Sequence, residues 1–262
     1  NIDHLSKAFT QEGRTVRVVN DVSLSVGVGE TLGLVGESGA GKTTIAKLIL
    51  GLTGSDSGSN VVLDGKTLAA TLSKRDVSDV GAMQIVFQNP DQALNRRHSV
   101  TRIVSRAVQK LRGLNSNESD DRAHELLSGM RVEASLHSAR PSQLSGGLKQ
   151  RVAISRAFAG SPQLVVCDEP TSALDVSVQA QILDLLRELQ RDLGLGILFI
   201  THDLRVAAQL CDRVIVMHQG RIVEEGATQA LYAAPAHEYT RRLFEAAPGH
   251  DFIAPNTVEE HL

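Results

Sequence analysis

Apolar and polar positions along the chain fall into three regimes, whose order predicts an α/β protein with two additions. Through residues 1–35 the two kinds alternate around turn residues, as in Arg17-Val18-Val19 and Val22-Ser23-Leu24-Ser25-Val26, which predicts short antiparallel strands. Thr31-Leu32-Gly33-Leu34-Val35 is an apolar strand leading into a glycine-rich segment, and Thr44-Ile45-Ala46-Lys47-Leu48-Ile49-Leu50 follows with a helical pattern. A Gly/Ser-rich turn at 54–59 precedes Val61-Val62-Leu63-Asp64-Gly65, so a small β-layer is expected here. Met83-Gln84-Ile85-Val86-Phe87 is a further strand, ended by Gln88-Asn89-Pro90. From there to about residue 160 the pattern is helical and polar, which predicts a helical insertion.

Strand character returns with Leu164-Val165-Val166-Cys167, a continuous apolar run of the kind found in a central parallel strand buried on both faces. Its expected neighbour is 196–200. Between them Ile182, Leu185, Leu186 and Leu189 recur at helical spacing, a crossover helix whose stripe reads as core. Strand, helix, strand implies a parallel sheet. Arg213-Val214-Ile215-Val216-Met217 and Arg221-Ile222-Val223-Glu224-Glu225 predict a hairpin around His218-Gln219-Gly220, and a helical tail with a loose end follows from about Thr228.

Composition removes several alternatives. The 262 residues are 42% hydrophobic and 22% charged, the balance of a folded globular chain. Lys plus Arg (27) against Asp plus Glu (30) leaves a net charge of -3, with no general attraction to nucleic acid or anionic lipid. The longest apolar stretches, such as Leu195-Gly196-Ile197-Leu198-Phe199-Ile200, fall far short of the roughly 20 residues of a spanning helix, and no secretory leader opens the chain. A soluble protein is expected. Cys167 and Cys211 stand apart from any metal-ligand spacing and read as buried small hydrophobes, in keeping with a reducing cytoplasm. The chain opens at Asn1 without a methionine, which reads as a piece of a longer polypeptide or a member of a heteromeric arrangement.

The chemistry concentrates in two stretches. Gly36-Glu37-Ser38-Gly39-Ala40-Gly41-Lys42-Thr43 fits Gly-x4-Gly-Lys-Ser/Thr between a strand and a helix start, the context of a phosphate-binding loop. Its glycines allow backbone N–H groups to point inward, and the helix adds its positive dipole end. Lys42 would reach the β- and γ-phosphates, and the Thr43 hydroxyl a magnesium ion. The apolar strand at 164–167 runs into Asp168-Glu169, two carboxylates at a strand's carboxyl end, where open α/β sheets bind ligands. Alone such a pair is more often a solvated loop start; beside a phosphate loop, Asp168 is placed to hold magnesium and Glu169 to polarise a water. Thr201-His202-Asp203 ends the next strand, so His202 is either structural or a contact to the γ-phosphate and that water. Ser145-Gly146-Gly147 opens a helix at 148–158, either as an ordinary N-cap or as a second anion site.

Taken together these residues resemble the ATP-binding cassette (ABC) ATPases. Leu144-Ser145-Gly146-Gly147-Leu148-Lys149-Gln150-Arg151 is similar to that family's signature motif, with Leu148 where many members have Gln. It lies between a Gln loop at Gln88 and a Walker B strand continuing Asp168-Glu169-Pro170-Thr171-Ser172-Ala173-Leu174-Asp175. The resemblance spans nearly the whole chain and implies an α/β P-loop NTPase fold. A RecA-like parallel-sheet core with a β-subdomain would occupy 1–88 and 161–228, a helical signature subdomain 89–160, and a C-terminal helical extension 229–262. It implies ATP and Mg2+ as ligands. Gly36, Ser38, Gly39, Ala40, Gly41, Lys42, Thr43 and Thr44 would hold the nucleotide, with Asp175, and with Ser145, Gly146 and Gly147 acting on the partner's ATP. Thr43, Gln88 and Asp168 would hold the metal; Glu169, His202 and Gln88 would serve hydrolysis. Phe9 would stack on adenine, with a β-layer core role as its rival.

Gln88-Asn89-Pro90-Asp91-Gln92-Ala93-Leu94-Asn95-Arg96-Arg97 and Pro235-Ala236-His237-Glu238-Tyr239-Thr240-Arg241-Arg242-Leu243 resemble two stretches of bacterial oligopeptide, dipeptide and nickel importer ATPases. Ala93, Arg96 and Glu238 depart from that pattern. No cysteine follows Cys211, so no carboxy-terminal iron–sulfur centre is expected. The resemblance implies a head-to-tail dimer of cassettes, membrane permease subunits, indirectly a substrate-binding protein, no nucleic acid, and a place on the cytoplasmic face of the bacterial inner membrane. The cargo stays open among peptides, nickel and other small solutes. An ABC ATPase of DNA repair or translation would need long coiled coils, a charged linker or a basic stripe, which are missing here. A non-hydrolysing cassette sits poorly with Glu169 and His202 in place.

Overall fold

The computed structural model describes residues 1–246 except Glu12 and Ser57, so the last part of the expected C-terminal extension, 247–262, lies outside the described residues. Ten strands and nine α-helices are described. In chain order these are β1 (Ile2–Gln11), β2 (Arg14–Leu24), β3 (Thr31–Val35), α1 (Lys42–Ile49), β4 (Asn60–Leu63), β5 (Lys66–Thr67), α2 (Val77–Ala82) and β6 (Met83–Val86). Then come α3 (Val100–Arg112), α4 (Ser116–Gly129), α5 (Gly146–Ala157), β7 (Leu164–Asp168), α6 (Val176–Leu193), β8 (Gly196–Ile200) and α7 (Leu204–Leu210). The chain continues through β9 (Arg213–His218), β10 (Arg221–Ala227), α8 (Thr228–Ala233) and α9 (Glu238–Glu245).

The period of two in the buried strands decides the architecture. Six strands form one sheet in the order β10-β9-β3-β8-β7-β6, parallel from β9 to β6 with β10 antiparallel at the edge. Every residue of β3, β7 and β8 is buried. Successive side chains leave a strand on opposite faces, and here each face feeds its own core. Val165, Cys167, Ile197, Phe199, Val214 and Val216 join α3 to α7 on one side. Leu164, Val166, Leu198, Ile200, Ile215 and Met217 join α1 and the second sheet on the other. The continuous apolar runs exist because both faces are covered.

The second sheet, β2-β1-β4-β5, is antiparallel and caps α1. Between the adjacent parallel strands β6 and β7 the chain makes a helical detour whose ends are set locally. Ser99 caps α3 and Gly113 closes it in the left-handed region, while Asn115 and Glu118 form a reciprocal capping box on α4. The described part of the tail is packed: Thr228 Oγ1 donates to Cys211 O at 2.6 Å, and the rings of Tyr232 and Phe244 stack at 4.4 Å.

Three strand expectations change. Thr31–Val35 is parallel, between β8 and β9, instead of joining the antiparallel strands before it. The expected hairpin forms, but β9 also extends the parallel sheet beside β3. The short β5 was not foreseen. Among the described residues no helix is long and apolar enough to cross a membrane.

Candidate nucleotide site

Beyond β3 the backbone turns sharply through residues that only glycine fits. Gly36 has φ 147°, and a Cβ there would lie 2.3 Å from the Met217 carbonyl oxygen; Gly41 has φ 105°, with a Cβ 2.7 Å from the Val18 carbonyl oxygen. Conformation and close backbone neighbours both demand a missing side chain. Gly41 is the N-cap of α1 and supplies no side-chain cap, and the first turn has no acid, so the opening N–H groups of α1 are left for an anion. Ser38, Gly39 and Thr43 are exposed, Ala40 is buried and Thr44 half-buried.

Lys42, the first residue of α1, is buried and folds back over the loop: its Nζ donates to Gly36 O at 2.7 Å and Glu37 O at 2.9 Å. Burial lowers its pKa, against the pull of the Glu169 and Asp168 carboxylates. Thr43 Oγ1 donates to Asp168 Oδ1 at 3.2 Å, which joins the loop to the end of β7. Burial raises the Asp168 pKa, with the Thr43 hydrogen bond acting in the opposite direction. These two oxygens are hard donors side by side, and a magnesium ion needs little more from protein when phosphates and waters complete its shell. The residues fit that ion.

Glu169 follows with φ 49°, its N–H held by Ile200 O at 2.9 Å. That left-handed turn brings its carboxylate to a meeting point of three strand ends. Gln88 Nε2, beyond β6, lies 3.1 Å from Glu169 Oε2, and His202 Nδ1, beyond β8, lies 2.9 Å from Glu169 Oε1. An ionised carboxylate only accepts, so His202 Nδ1 carries the proton. Gln88 Nε2 also reaches Ser172 Oγ at 3.1 Å, and Ser172 Oγ in turn donates to Glu169 O at 3.2 Å. Sequence reasoning missed Ser172, although it stands three residues beyond the acid pair.

The phosphate loop, Asp168, Glu169, Gln88 and His202 thus form one linked cluster at the carboxyl edge of the parallel sheet. Among the described residues no hydrogen bond joins 145–147 to that cluster. Ser145 caps α5, accepting from Leu148 N at 3.3 Å, and Gly147 packs so closely that a Cβ would lie 2.5 Å from Val178 Cγ1. Asp175 caps α6, and the Val178 N–H and Ser177 hydroxyl bonds hold its pKa low. Phe9 lies on β1, 43% exposed and outside both cores, with Lys7 Nζ 5.6 Å from its ring centre, which removes its core rival.

Known proteins share this chain's sequence and fold. A family model described as ABC transporter matches residues 19–172. The oligopeptide transport ATP-binding protein OppF of Lactococcus lactis is 40% identical over 93% of this chain and 76% of its own length. A putative peptide import ATP-binding protein of Brucella ovis is 41% identical over 94% of this chain and 78% of its own length. Among solved structures, the dimeric cassette MJ0796 in a post-hydrolysis state with ADP and Pi is 28% identical, with a TM-score of 0.75, covering 87% of this chain and 97% of that one. The cbiO1 protein of Clostridium perfringens, part of the cbiONQ transporter complex, is 28% identical with a TM-score of 0.77, covering 88% of this chain and 89% of that one.

Proposed function

The chain belongs to the ABC transporter family, with the α/β fold of P-loop NTPases and an ATPase activity, and from that premise we propose that it powers a bacterial importer of peptides. The identity to OppF over most of both chains supports the cargo class, together with the stretches at 88–97 and 235–243.

The observation that carries the catalytic reading is the Glu169 carboxylate, held from both sides by Gln88 and His202 beside the phosphate loop. Glu169 is the general base: its two oxygens are oriented by the two donors, ready to draw a proton from a water attacking the γ-phosphate. His202 keeps its Nδ1 proton on Glu169 and leaves Nε2, an acceptor in that tautomer, for the water. Lys42 gives its ammonium to the β- and γ-phosphates, and the N–H groups of Gly39 and of 41–44 surround them, while the Ala40 N–H stays on Glu37 O at 3.2 Å. Thr43 and Asp168, with Gln88, would hold Mg2+, which supplies charge neutralisation when bound. Phe9, exposed on β1, would stack on adenine.

Ser145, Gly146 and Gly147 complete the site of a second cassette in a head-to-tail dimer. Phe87, next to Gln88, lines a groove of about 730 Å³ with Leu52, Leu72, Arg102, Arg106 and Lys110. Its apolar residues and its five cations, Arg75 and Arg156 included, suit an acidic, apolar cytoplasmic segment of a permease, which would place the chain on the cytoplasmic face of the membrane and link it indirectly to a substrate-binding protein.

Glu169→Gln should still bind ATP but turn over at least about 100-fold more slowly, the scale of a positioned general base. Near-wild-type hydrolysis refutes the assignment. In cells, uptake of a labelled oligopeptide should stop with the same variant, and undiminished uptake would overturn the importer reading.

A further inference from the structure

Tyr239 of α9 reaches back across the chain to the phosphate loop, where the Glu37 N–H donates to its Oη at 3.3 Å. That N–H and the Gly36 carbonyl belong to one peptide unit, and in a trans peptide they point in opposite directions. The carbonyl end is taken by Lys42 Nζ at 2.7 Å. One peptide plane is thus held at one edge by the lysine and at the other by the tyrosine, and each bond in such a chain polarises the next.

The tyrosine is itself fixed. It is 6% exposed, and its ring stacks on His218 with centroids 3.9 Å apart. His218 ends β9, and the preceding Met217 carbonyl is the group that closes on Gly36. Glu224 of β10 accepts from Ala236 N at 2.7 Å and His237 N at 3.0 Å, and His237 Nδ1 accepts from Tyr239 N at 3.1 Å. Arg241 donates to the carbonyls of Pro235 and Ala236 at 3.2 and 2.6 Å. The start of α9 is bolted to the same hairpin that backs the loop. Burial pushes the Tyr239 pKa up, so the group stays a neutral phenol able to accept.

We propose that Tyr239 is a positioning residue for the ATP site: it fixes the Gly36–Glu37 peptide, so that the phosphate loop keeps its shape when Lys42 exchanges the Gly36 carbonyl for a phosphate, which makes the C-terminal element a determinant of nucleotide affinity. The proposal rests on the ATPase reading above. When Lys42 turns to a phosphate, the Gly36 carbonyl gives up its ammonium, and Tyr239 is the anchor that keeps the peptide from rotating.

Tyr239→Phe keeps the ring and its stack on His218 while removing the oxygen. In the full chain, Kd for ATP by titration calorimetry and KM should both rise by about five-fold, the scale of one hydrogen bond, with kcat within about two-fold of wild type. The Glu37 amide should exchange slowly with deuterium in the wild type, followed by NMR, and at least about ten-fold faster in the variant. Unchanged Kd, KM and exchange in a variant whose parent binds ATP overturn this inference alone. Absence of ATP binding by the wild type overturns it together with the ATPase reading. Should Tyr239→Phe fail to fold, the wild-type exchange rate decides: a protected Glu37 amide supports the contact, and an unprotected one overturns it.

Discussion

Lys42 and Asp168 carry opposite charges and share one difficulty, that burial disfavours the charge each must present. Burial lowers the lysine's pKa and raises the aspartate's. A polyphosphate relieves the first and a divalent cation the second. For Asp168 the sign of the stability effect follows from its raised value. The folded chain holds that proton more tightly than the unfolded chain, so the stabilising contribution is full below the usual carboxylate range and is lost as pH rises through the raised pKa. Asp168→Asn keeps an acceptor for Thr43 and removes the loss. Its Tm without ligands should exceed that of the wild type by about 1–4 °C at neutral pH, and the gap should close on acidification. Added Mg2+ with ATP should stabilise the wild type more than the variant. A variant no more stable than its parent at neutral pH would contradict this. Lys42→Ala should lose nucleotide affinity by calorimetry, and unchanged binding would remove the lysine from the cradle.

At the scale of elements, the helix start at α5 makes a sharp steric demand. A Cβ on Gly147 would point at Val178 Cγ1 in α6, 2.5 Å away, toward the protein interior. Gly147→Ala should therefore spare ATP binding by the chain's own loop, lower Tm, and cut turnover by about ten-fold as α5 shifts away from α6. Adding Val178→Ala should restore both. If Tm recovers and turnover does not, the close approach lies on the ligand side. Such contacts separate what the sequence displays from what it hides. The phosphate loop, the acids ending β7 and the cap of α5 are legible because each is local: a glycine must turn, a serine must cap, an apolar run must be covered on both faces. The parallel partners of β3 are not legible, since alternation around 17–26 looks the same whichever strand comes next. Ser172 and Tyr239 were hidden for the same reason. The contact of Ser172 with Gln88 spans 84 residues and that of Tyr239 with Glu37 spans 202, and nothing local marks either meeting. Gln88 was named through family resemblance, not through any property of its own neighbourhood.

At the scale of the whole molecule, one chain carries two glycine-flanked helix starts and a single set of acids. Among the described residues no hydrogen bond links 145–147 to the loop at 36–44, and Gly146 and Gly147 pack on Leu174 and Val178. A head-to-tail pair accounts for both halves, because the two-fold operation brings the second start of each chain to the first start of its partner. Complementation separates that arrangement from a site contained in one chain. Lys42→Ala disables the loop. Gly146→Asp places a carboxylate where a phosphate would sit, and does so without a serious clash, since a Cβ there lies 3.4 Å from Leu174 Cδ2. Each variant alone has no intact composite site. In an equal mixture about half of the dimers pair one of each, and each such dimer has one intact site and one doubly defective site, so turnover should recover to about a quarter of the wild-type value. A site built within one chain gives a different result: every chain in the mixture carries a lesion, and turnover stays at the level of the parents.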